Sequence, residues 1–391
     1  MVPRTMKFFL LAGEASGDAL GAALMAGLKV LSPDVRFEGV GGPLMEAEGL
    51  ASLFPMEELS VMGLMEVIPK YRHLRARMAE TAAAVVAAAP DALITIDSPD
   101  FCLRVARAVR AANPDLKTIH YVAPTVWAWR PGRATKMAAV IDHVLALFPF
   151  EPPYMERAGM TCDFVGHPVV ADPRATSADA EAFRDAHMIG PDQPLLLCLP
   201  GSRKGEVGRL APRFQEAIAR LRDREPSLRV VIPTVRGVAS LVRDITARWK
   251  VAPLIVETGP EKRAAFAAAN LALSASGTVS LELAANRVPM VIAHDFNRLT
   301  WWLMKRAALI DTVTLVNIVS ETRTVPEFLG PACRPGPIAH ALCSLIDDES
   351  SRNAQLRAMD LTMERLGQGG EAPGLRAARS VLKTIGLHKA S

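Results

Sequence analysis

Short runs of apolar residues alternate along the chain with longer segments of mixed polarity. The runs are about five residues long and rich in Val, Ile and Leu, which is typical of strands buried on both faces of a sheet. The longer segments are typical of amphipathic helices that cover such a sheet. The pattern therefore predicts an α/β fold with parallel sheets. The predicted strands are 7–11, 92–96, 118–122 and 143–147 in the first half, and 195–199, 229–233, 270–274 and 289–293 in the second.

The length and a change of composition at mid-chain predict two domains. A chain of 391 residues exceeds one ordinary domain. Glycines, prolines and small polar residues gather between Gly166 and Pro194, which is typical of a linker. We therefore predict α/β domains at 1–170 and 190–370, followed by a helical tail at 371–391.

Three turns of small residues each lie between a predicted strand and a helix start: 13–18, 200–206 and 276–278. In such a turn, free backbone N–H groups and the helix dipole point at one spot, which favours an anion. Because the turns occur in both halves, the pattern indicates an enzyme that binds a nucleotide in one half and a second substrate in the other.

The first turn reads Gly-Glu-Ala-Ser-Gly-Asp, which departs from the dinucleotide pattern GxGxxG. Ser16 is able to cap a helix that begins near Gly17, and Asp18 suits its first turn. The carboxylates of Glu14 and Asp18 would repel a phosphate, so we expect this turn to contact a sugar or an acceptor. The structural alternative is a tight turn and a helix cap.

The second turn places Gly201 and Ser202 directly before Arg203. Small residues let the backbone approach a ligand, and an arginine is suited to bidentate contact with phosphate oxygens. The alternative is an ordinary turn with a solvated arginine.

The third turn, Ser276, Gly277 and Thr278, precedes a helix that carries Glu282 one turn in. A helix start favours phosphates, and a carboxylate nearby is able to accept hydrogen bonds from ribose hydroxyls. The alternative is a helix on which Glu282 is a surface residue.

Asp97 follows a predicted strand, at the end of the strand where ligands bind in open α/β sheets. It is a candidate to take a proton from a hydroxyl, and the alternative is a cap for the next helix. Asp100 is expected to be a cap or a first-turn residue.

In the loop 120–130, Trp127 and Trp129 with Arg130 are candidates to stack on a sugar, or else to pack into the core.

The segment 59–69 is strongly apolar and is followed by basic residues, a combination that suits an anionic membrane surface. The alternative is a core helix with a solvated basic end, and 301–306 has the same ambiguity. No uncharged apolar run reaches the ~20 residues of a membrane-spanning helix. The candidate membrane residues are Val61, Met62, Leu64, Met65, Val67 and Ile68, and the basic ones are Lys70, Arg72, Arg75 and Arg77.

Composition narrows the classes of partner. The net charge of +4 is too small for a strongly basic nucleic-acid protein, so no nucleic-acid partner is expected. Five cysteines without CxxC spacing indicate reduced thiols in a cytoplasm, and we predict no signal peptide. The histidines are scattered and no metal-ligand motif is present, so no metal or cofactor is expected, and His167 is expected to be structural.

Taken in order, the motifs resemble those of the lipid-A-disaccharide synthase family from about Lys7 to past Asn317. Single pieces such as LPGSR are not specific, whereas the tryptophan-bearing loop and the combined order are. The matching segments are GEASGD, GVGGPLMEAEG, LSVMGLMEV, DSPDF, HYVAPTVWAWR, FPFE, FVGHP, LPGSR and SGTVSLE.

The resemblance implies an inverting glycosyltransferase of the GT-B type, with two Rossmann-like domains that face each other across a cleft and no catalytic metal. Its reaction joins UDP-2,3-diacylglucosamine to 2,3-diacylglucosamine 1-phosphate and releases UDP. The first domain would bind the acceptor and the membrane, and the second the donor. The family works in lipid A synthesis at the cytoplasmic face of the inner membrane of Gram-negative bacteria, and a homodimer is one option for its assembly.

The resemblance also implies roles for single residues. Asp97 falls on the family's general base, Arg203 on the arginine of its P-G-S-R motif, and Asn317 on an asparagine tied to activity. Two positions depart from the family pattern. Cys102 stands where asparagine is frequent, and Lys204 follows the arginine where a smaller residue is common.

Two other functions remain open at this point. One is a different UDP-sugar transferase or an epimerase of the same fold, against which the apolar and basic segment 59–77 argues. The other is a non-catalytic nucleotide-binding protein at a membrane, against which the set of Asp97, Arg203 and Glu282 argues. Fold alone does not separate these functions.

Overall fold

The computed structural model describes residues 5–386 except 60–63, 276, 278, 297–300 and 303–305, and it describes no side chains for 64–71. The described chain forms two compact units. The first comprises the residues up to Ala171 together with those from Gly369 onward, and the second comprises Asp172–Gln368.

The first unit contains a sheet of seven parallel strands in the order β3-β2-β1-β4-β5-β6-β7. The central strands are continuous apolar runs because helices cover both faces of the sheet. The strands are β1 (Lys7–Ala12), β2 (Arg36–Val40), β3 (Ala51–Ser52), β4 (Ala92–Ile96), β5 (Lys117–Tyr121), β6 (His143–Ala146) and β7 (Thr161–Phe164). The helices are α1 (Ala15–Leu31), α2 (Pro43–Ala47), α3 (Leu64–Ala88), α4 (Pro99–Ala112), α5 (Gly132–Ala138) and α6 (Pro152–Arg157), with 3-10 turns at Met56–Leu59 and Pro168–Val170.

The second unit contains six parallel strands in the order β10-β9-β8-β11-β12-β13. Phe214 and Leu342, on two of its helices, are fully buried in the same hydrophobic core as Cys198 and Val230 of the sheet. The strands are β8 (Leu195–Leu199), β9 (Arg229–Pro233), β10 (Leu254–Val256), β11 (Leu271–Ser274), β12 (Met290–His294) and β13 (Glu327–Leu329). The helices are α7 (Ser177–Ala186), α8 (Lys204–Arg224), α9 (Ala239–Thr246), α10 (Gly259–Ala268), α11 (Val279–Ala285), α12 (Leu315–Ser320), α13 (Pro335–Asp347) and α14 (Glu349–Arg365), with a 3-10 turn at Gly330–Ala332.

The last helix, α15 (Pro373–Thr384), packs on α1 of the first unit. A Cβ atom at Gly27 would come within 2.6 Å of the Gly374 carbonyl oxygen, so the two helices approach closely only because both positions are glycine. Ser380 of α15 donates a 2.8 Å hydrogen bond to Asp163 and pairs at 2.8 Å with His143 Nε2. The segment predicted as a separate tail is therefore part of the first unit.

The prediction of an α/β fold with parallel sheets is confirmed, and all eight predicted strands are present within one or two residues. The second sheet follows the Rossmann strand order, and both sheets are doubly wound. The strand order reverses between β1 and β4 in the first unit, and between β8 and β11 in the second. At such switch points, a crevice opens outside the carboxyl ends of the strands.

Candidate active site

A cavity of about 390 Å³ lies at the switch point of the second unit. Its walls come from the segments that follow three neighbouring strands, β8, β9 and β11, and from α10. It brings together residues that were predicted from separate turns. Its lining includes Gly201, Ser202, Arg203, Glu206, Pro233, Thr234, Val235, Lys262, Gly277 and Glu282.

The turn after β8 forms one wall of this cavity. Gly201 has a φ of +114°, which favours glycine, and a Cβ atom there would overlap the Glu206 carboxylate. Glu206 Oε2 accepts a hydrogen bond from the Ser202 N–H at 3.2 Å. Arg203 precedes the first residue of α8, and its side chain is exposed. Arg203 has no ion-pair partner within the described residues.

The segment after β11 forms a second wall. Gly277 lies there with a φ of +132°, and Glu282 is in the first turn of α11. Glu282 Oε2 accepts a 2.8 Å hydrogen bond from Lys262 Nζ of α10. Ser276 and Thr278, which the sequence also predicted, lie outside the described residues.

Asp97 lies at the switch point of the first unit, directly after β4. Asp97 and Ser98 have φ values of +51° and +42°, so two successive residues other than glycine adopt the left-handed conformation. Each costs on the order of 1 kcal/mol or more, and such strain is concentrated at functional sites. Gly13, after the neighbouring β1, makes room for this turn, because a Cβ atom there would lie 2.9 Å from Ser98 Oγ.

The helix after the first turn begins two residues earlier than predicted, at Ala15. Its N-cap is Glu14, without a side-chain capping bond, so the prediction that Ser16 caps the helix is wrong. Ser16 is exposed in the first turn, whereas Gly17 is buried against Ala12 and Ile96.

Asp18, predicted beside a substrate, is almost completely buried. Its carboxylate accepts hydrogen bonds from the backbone N–H groups of Gly42 (2.9 Å), Leu44 (3.0 Å) and Met45 (3.0 Å). These are the free N–H groups at the start of α2. The geometry therefore favours a structural role for Asp18 as the cap of that helix.

The two tryptophans of the loop after β5 have different surroundings. Trp127 is buried, packs edge-on against Phe150 and donates a 3.3 Å hydrogen bond to Glu151. Trp129 is 38% exposed, and the Arg130 guanidinium lies 4.2 Å from the centroid of its ring. Trp127 therefore packs in the core, while Trp129 is partly exposed at the surface.

Asn317 is fully buried in α12 of the second unit. Its Nδ2 donates to Thr312 Oγ1 at 3.2 Å and to the Val325 carbonyl at 2.9 Å, and its Oδ1 accepts from the Val325 N–H at 3.0 Å. Because its amide is engaged within the protein, Asn317 fixes the chain that precedes β13.

The side chains of the candidate membrane residues are not among those that the structure describes. Val61 and Met62 are outside the described residues, and Leu64, Met65, Val67 and Ile68 begin α3 without described side chains. Of the basic residues behind them, Arg72 and Arg75 are exposed, and Arg77 pairs with Glu58 at 2.8 Å. In the segment 301–306, residues 303–305 are not described, and Trp302 is 53% exposed. No described helix is both long and apolar enough to cross a membrane.

The described residues contain no group of three or more metal-ligating side chains. His167 accepts a 3.2 Å hydrogen bond from the Val169 N–H, and burial lowers its pKa to about 4. Cys102 is buried, and burial raises the pKa of its thiol.

Lys262 and Glu206 line the cavity but were not predicted as site residues. Glu206 belongs to the predicted turn 200–206, whereas no sequence pattern distinguished Lys262.

Two doubly wound units in one chain define the class as the GT-B fold, as the resemblance implied. A solved UDP-GlcNAc 2-epimerase from Neisseria meningitidis, bound to UDP-GlcNAc, has this fold. It matches with a TM-score of 0.67 at 12% identity, over 98% of this chain and 100% of that one.

Sequence comparison identifies the family. The model of the lipid-A-disaccharide synthetase family matches residues 8–373. A lipid-A-disaccharide synthase from Ruegeria pomeroyi is 62% identical over 390 residues, which are 98% of this chain and 96% of the relative. Another from Rhodospirillum centenum is 47% identical over 383 residues, 98% of this chain and 95% of the relative. The chain belongs to the lipid-A-disaccharide synthase family.

The protein is therefore an enzyme, a glycosyltransferase of lipid A biosynthesis. It joins UDP-2,3-diacylglucosamine to 2,3-diacylglucosamine 1-phosphate and releases UDP, which is the reaction of the family. The functional prediction from the sequence is confirmed at this level.

Proposed function

We propose that the cavity of the second unit binds the UDP part of the donor. The observation that carries this proposal is the presence of Gly201, Ser202, Arg203, Gly277 and Glu282 in the lining of one cavity at a switch point. Arg203 and the start of α8 would contact the diphosphate, since both attract anions. The Glu282 carboxylate would accept hydrogen bonds from the ribose hydroxyls.

Ser276 and Thr278 flank Gly277 in the sequence, and we propose that they also contact the donor. The structural neighbour from Neisseria meningitidis, solved with UDP-GlcNAc, supports a nucleotide-sugar ligand for this fold.

Asp97 would act as the general base. In a direct displacement, the acceptor hydroxyl attacks the anomeric carbon of the donor, the bond from that carbon to the UDP oxygen breaks, and Asp97 takes the hydroxyl proton. Arg203 and the start of α8 would stabilise the charge that develops on UDP. The strained turn at Asp97 and Ser98 supports a functional role, because the fold maintains an unfavourable conformation there.

The first unit would hold the acceptor. Ser16 and Gly17 lie in the first turn of α1, which follows β1, the strand next to β4, and this brings them to the same edge of the sheet as Asp97. The exposed ring of Trp129 is a surface on which a sugar can stack. Asn317 would act as a positioning residue through the chain that it fixes.

We also propose that the protein contacts the cytoplasmic face of the inner membrane peripherally, since both substrates carry acyl chains. The apolar sequence around the start of α3 and the exposed Arg72 and Arg75 support this surface. Each cation near anionic lipid adds about 1 kcal/mol, so such a patch would bind reversibly. A homodimer is part of the same proposal, and light scattering of the purified protein tests it by giving the mass in solution.

Titration with UDP tests the donor site. Arg203→Ala should weaken UDP binding at least about tenfold, because a hydrogen bond between charged groups is lost. Arg222→Ala is a matched control, since Arg222 is exposed near the other end of α8 and does not line the cavity. Equal UDP affinity of Arg203→Ala and the unaltered protein would refute the phosphate assignment.

Sedimentation with anionic vesicles tests the membrane surface. Changing Met65 and Ile68 to Ser, or Arg72 and Arg75 to Glu, should reduce vesicle binding and activity on acylated substrates together. High salt should weaken only the part of the binding due to the arginines. If both double variants sediment with the vesicles as the parent protein does, this segment is not the membrane surface.

A further inference from the structure

Lys262 is an ammonium group inside the donor cavity to which neither the motifs nor the family resemblance assigned a role. It lies in the first turn of α10, a helix that Thr258 caps by accepting a hydrogen bond from the Glu261 N–H. Its Nζ is 2.8 Å from Glu282 Oε2 of α11, and both side chains are about one-third exposed. The Lys262 ammonium also lies 5.3 Å from the centroid of the buried Phe266 ring, one turn further along α10. Lys262 is therefore held by an ion pair and by a contact with an aromatic ring.

Glu282 is only partly engaged by this ion pair. Its Oε2 accepts from Lys262, while no described residue donates a hydrogen bond to its Oε1. Within the described residues, the ion pair therefore holds one oxygen of a carboxylate that lines the cavity. A carboxylate oriented in this way is prepared to accept hydrogen bonds from a ligand, whereas a freely rotating one loses rotamer freedom when the ligand binds.

A second carboxylate lies near the same pair. Burial and then the charge of Glu282 raise the pKa of Asp172, and Lys262 opposes that rise. Lys262 therefore stands near two negative groups that repel each other. Without the Lys262 ammonium, the Glu282 carboxylate would lose the partner that holds its Oε2.

We propose that Lys262 is the positioning residue of the donor site, which orients the Glu282 carboxylate toward the ribose hydroxyls and so makes the enzyme select ribonucleotides. The inference rests on the proposed function, in which this cavity holds UDP. An ammonium group only donates hydrogen bonds, so Lys262 cannot replace Glu282 in accepting hydrogen bonds from the ribose hydroxyls. Its effect is exerted through Glu282.

The test compares the affinity of the full-length protein for UDP and for 2′,3′-dideoxy-UDP, which lacks both ribose hydroxyls, by calorimetric titration. The unaltered protein should bind UDP at least about tenfold more tightly, since hydrogen bonds to a charged group are lost with the analogue. Lys262→Met should reduce this ratio to about twofold. Lys262→Arg should keep most of the ratio, because it retains the charge.

Three further variants make the result decisive. Lys262→Gln is a second neutral substitution in case the Met variant does not fold. Lys250→Met is the matched control, because Lys250 is an exposed lysine of the same unit outside the cavity, and it should keep the parent ratio. Glu282→Gln should lose the preference for UDP over the dideoxy analogue. Adding Lys262→Met to this variant should change nothing further, because the two residues act as a unit.

The possible failures are distinguishable. If Glu282→Gln loses the ratio but both neutral Lys262 variants keep it, the positioning role is overturned and the donor-site proposal stands. If Glu282→Gln keeps the ratio, the assignment of Glu282 to the ribose fails together with the inference. If the parent protein does not bind UDP, the donor-site proposal fails as well. Loss of the ratio in Lys250→Met would also overturn the positioning role, since the effect would then not depend on the ion pair.

Discussion

Replacing Asp97 with asparagine separates chemistry from folding and from nucleotide binding. The Asp97 backbone is left-handed with a φ of +51°, and its N–H donates a 2.9 Å hydrogen bond to the Tyr121 carbonyl. Asparagine tolerates the left-handed region better than most residues and keeps the N–H, so the free energy of unfolding should change by less than about 1 kcal/mol. The amide, however, cannot accept the proton of the attacking hydroxyl.

The expected loss of turnover follows from the contribution of a general base, which is typically 10²–10⁴-fold. At about 1.4 kcal/mol for each factor of ten, this is about 3–5 kcal/mol of lost transition-state stabilisation. UDP affinity should stay at the parent value, because the proposed nucleotide cavity belongs to the second unit. The assay is steady-state release of UDP from both acylated substrates, together with UDP titration and urea unfolding of the same preparations.

Asp100→Asn is the matched control for this prediction. Asp100 is a carboxylate only three residues away, exposed in the first turn of α4. Its removal should lower stability by about 0.3–1 kcal/mol through the helix dipole and leave turnover nearly unchanged. Near-normal turnover of Asp97→Asn, or an equal loss in both variants, would refute the assignment of Asp97 as the base.

Three other predictions concern charge and stability. Activity should persist in a chelator, since Arg203 and the start of α8 are proposed to stabilise the leaving group; loss of activity restored by a divalent ion would contradict this. Asp18→Asn should lower the free energy of unfolding by about 1–3 kcal/mol in urea, because the start of α2 loses carboxylate bonds, whereas UDP affinity should not change. Burial raises the pKa of Glu151 to about 7. Folding thus favours the protonated form of Glu151. The free energy of unfolding of the parent protein, relative to that of Glu151→Gln, should fall by on the order of 3 kcal/mol as the pH rises from about 4.5 to about 7. A difference between the two proteins that does not change with pH would contradict this prediction.

The sequence predicted the central strands of both sheets but not the outer ones. Central strands are buried on both faces and read as apolar runs, as in Leu195–Leu199. The missed strands are short or partly exposed, and Arg36–Val40 alternates charged and apolar residues. The position of α15 was also beyond the sequence pattern, because its contact with α1 depends on Gly27 and Gly374, which are far apart in the chain.

The site was predicted where its chemistry lies in a local motif. Gly201, Arg203 and Glu282 belong to turns after strands, and the parallel topology brings those turns together at one edge of the sheet. Lys262 was missed because its importance comes from a contact with a residue 20 positions away. Asp18 and Trp127 show the converse, since each suited a ligand by residue type but has its polar atoms bonded within the protein.

The most direct test of the account is a reaction of the purified protein with UDP-2,3-diacylglucosamine and 2,3-diacylglucosamine 1-phosphate. We expect UDP and the acylated disaccharide 1-phosphate to appear in equal amounts, with inversion at the anomeric carbon of the donor. Release of UDP without disaccharide, or conversion of the donor to an epimer without net release of UDP, would contradict the account.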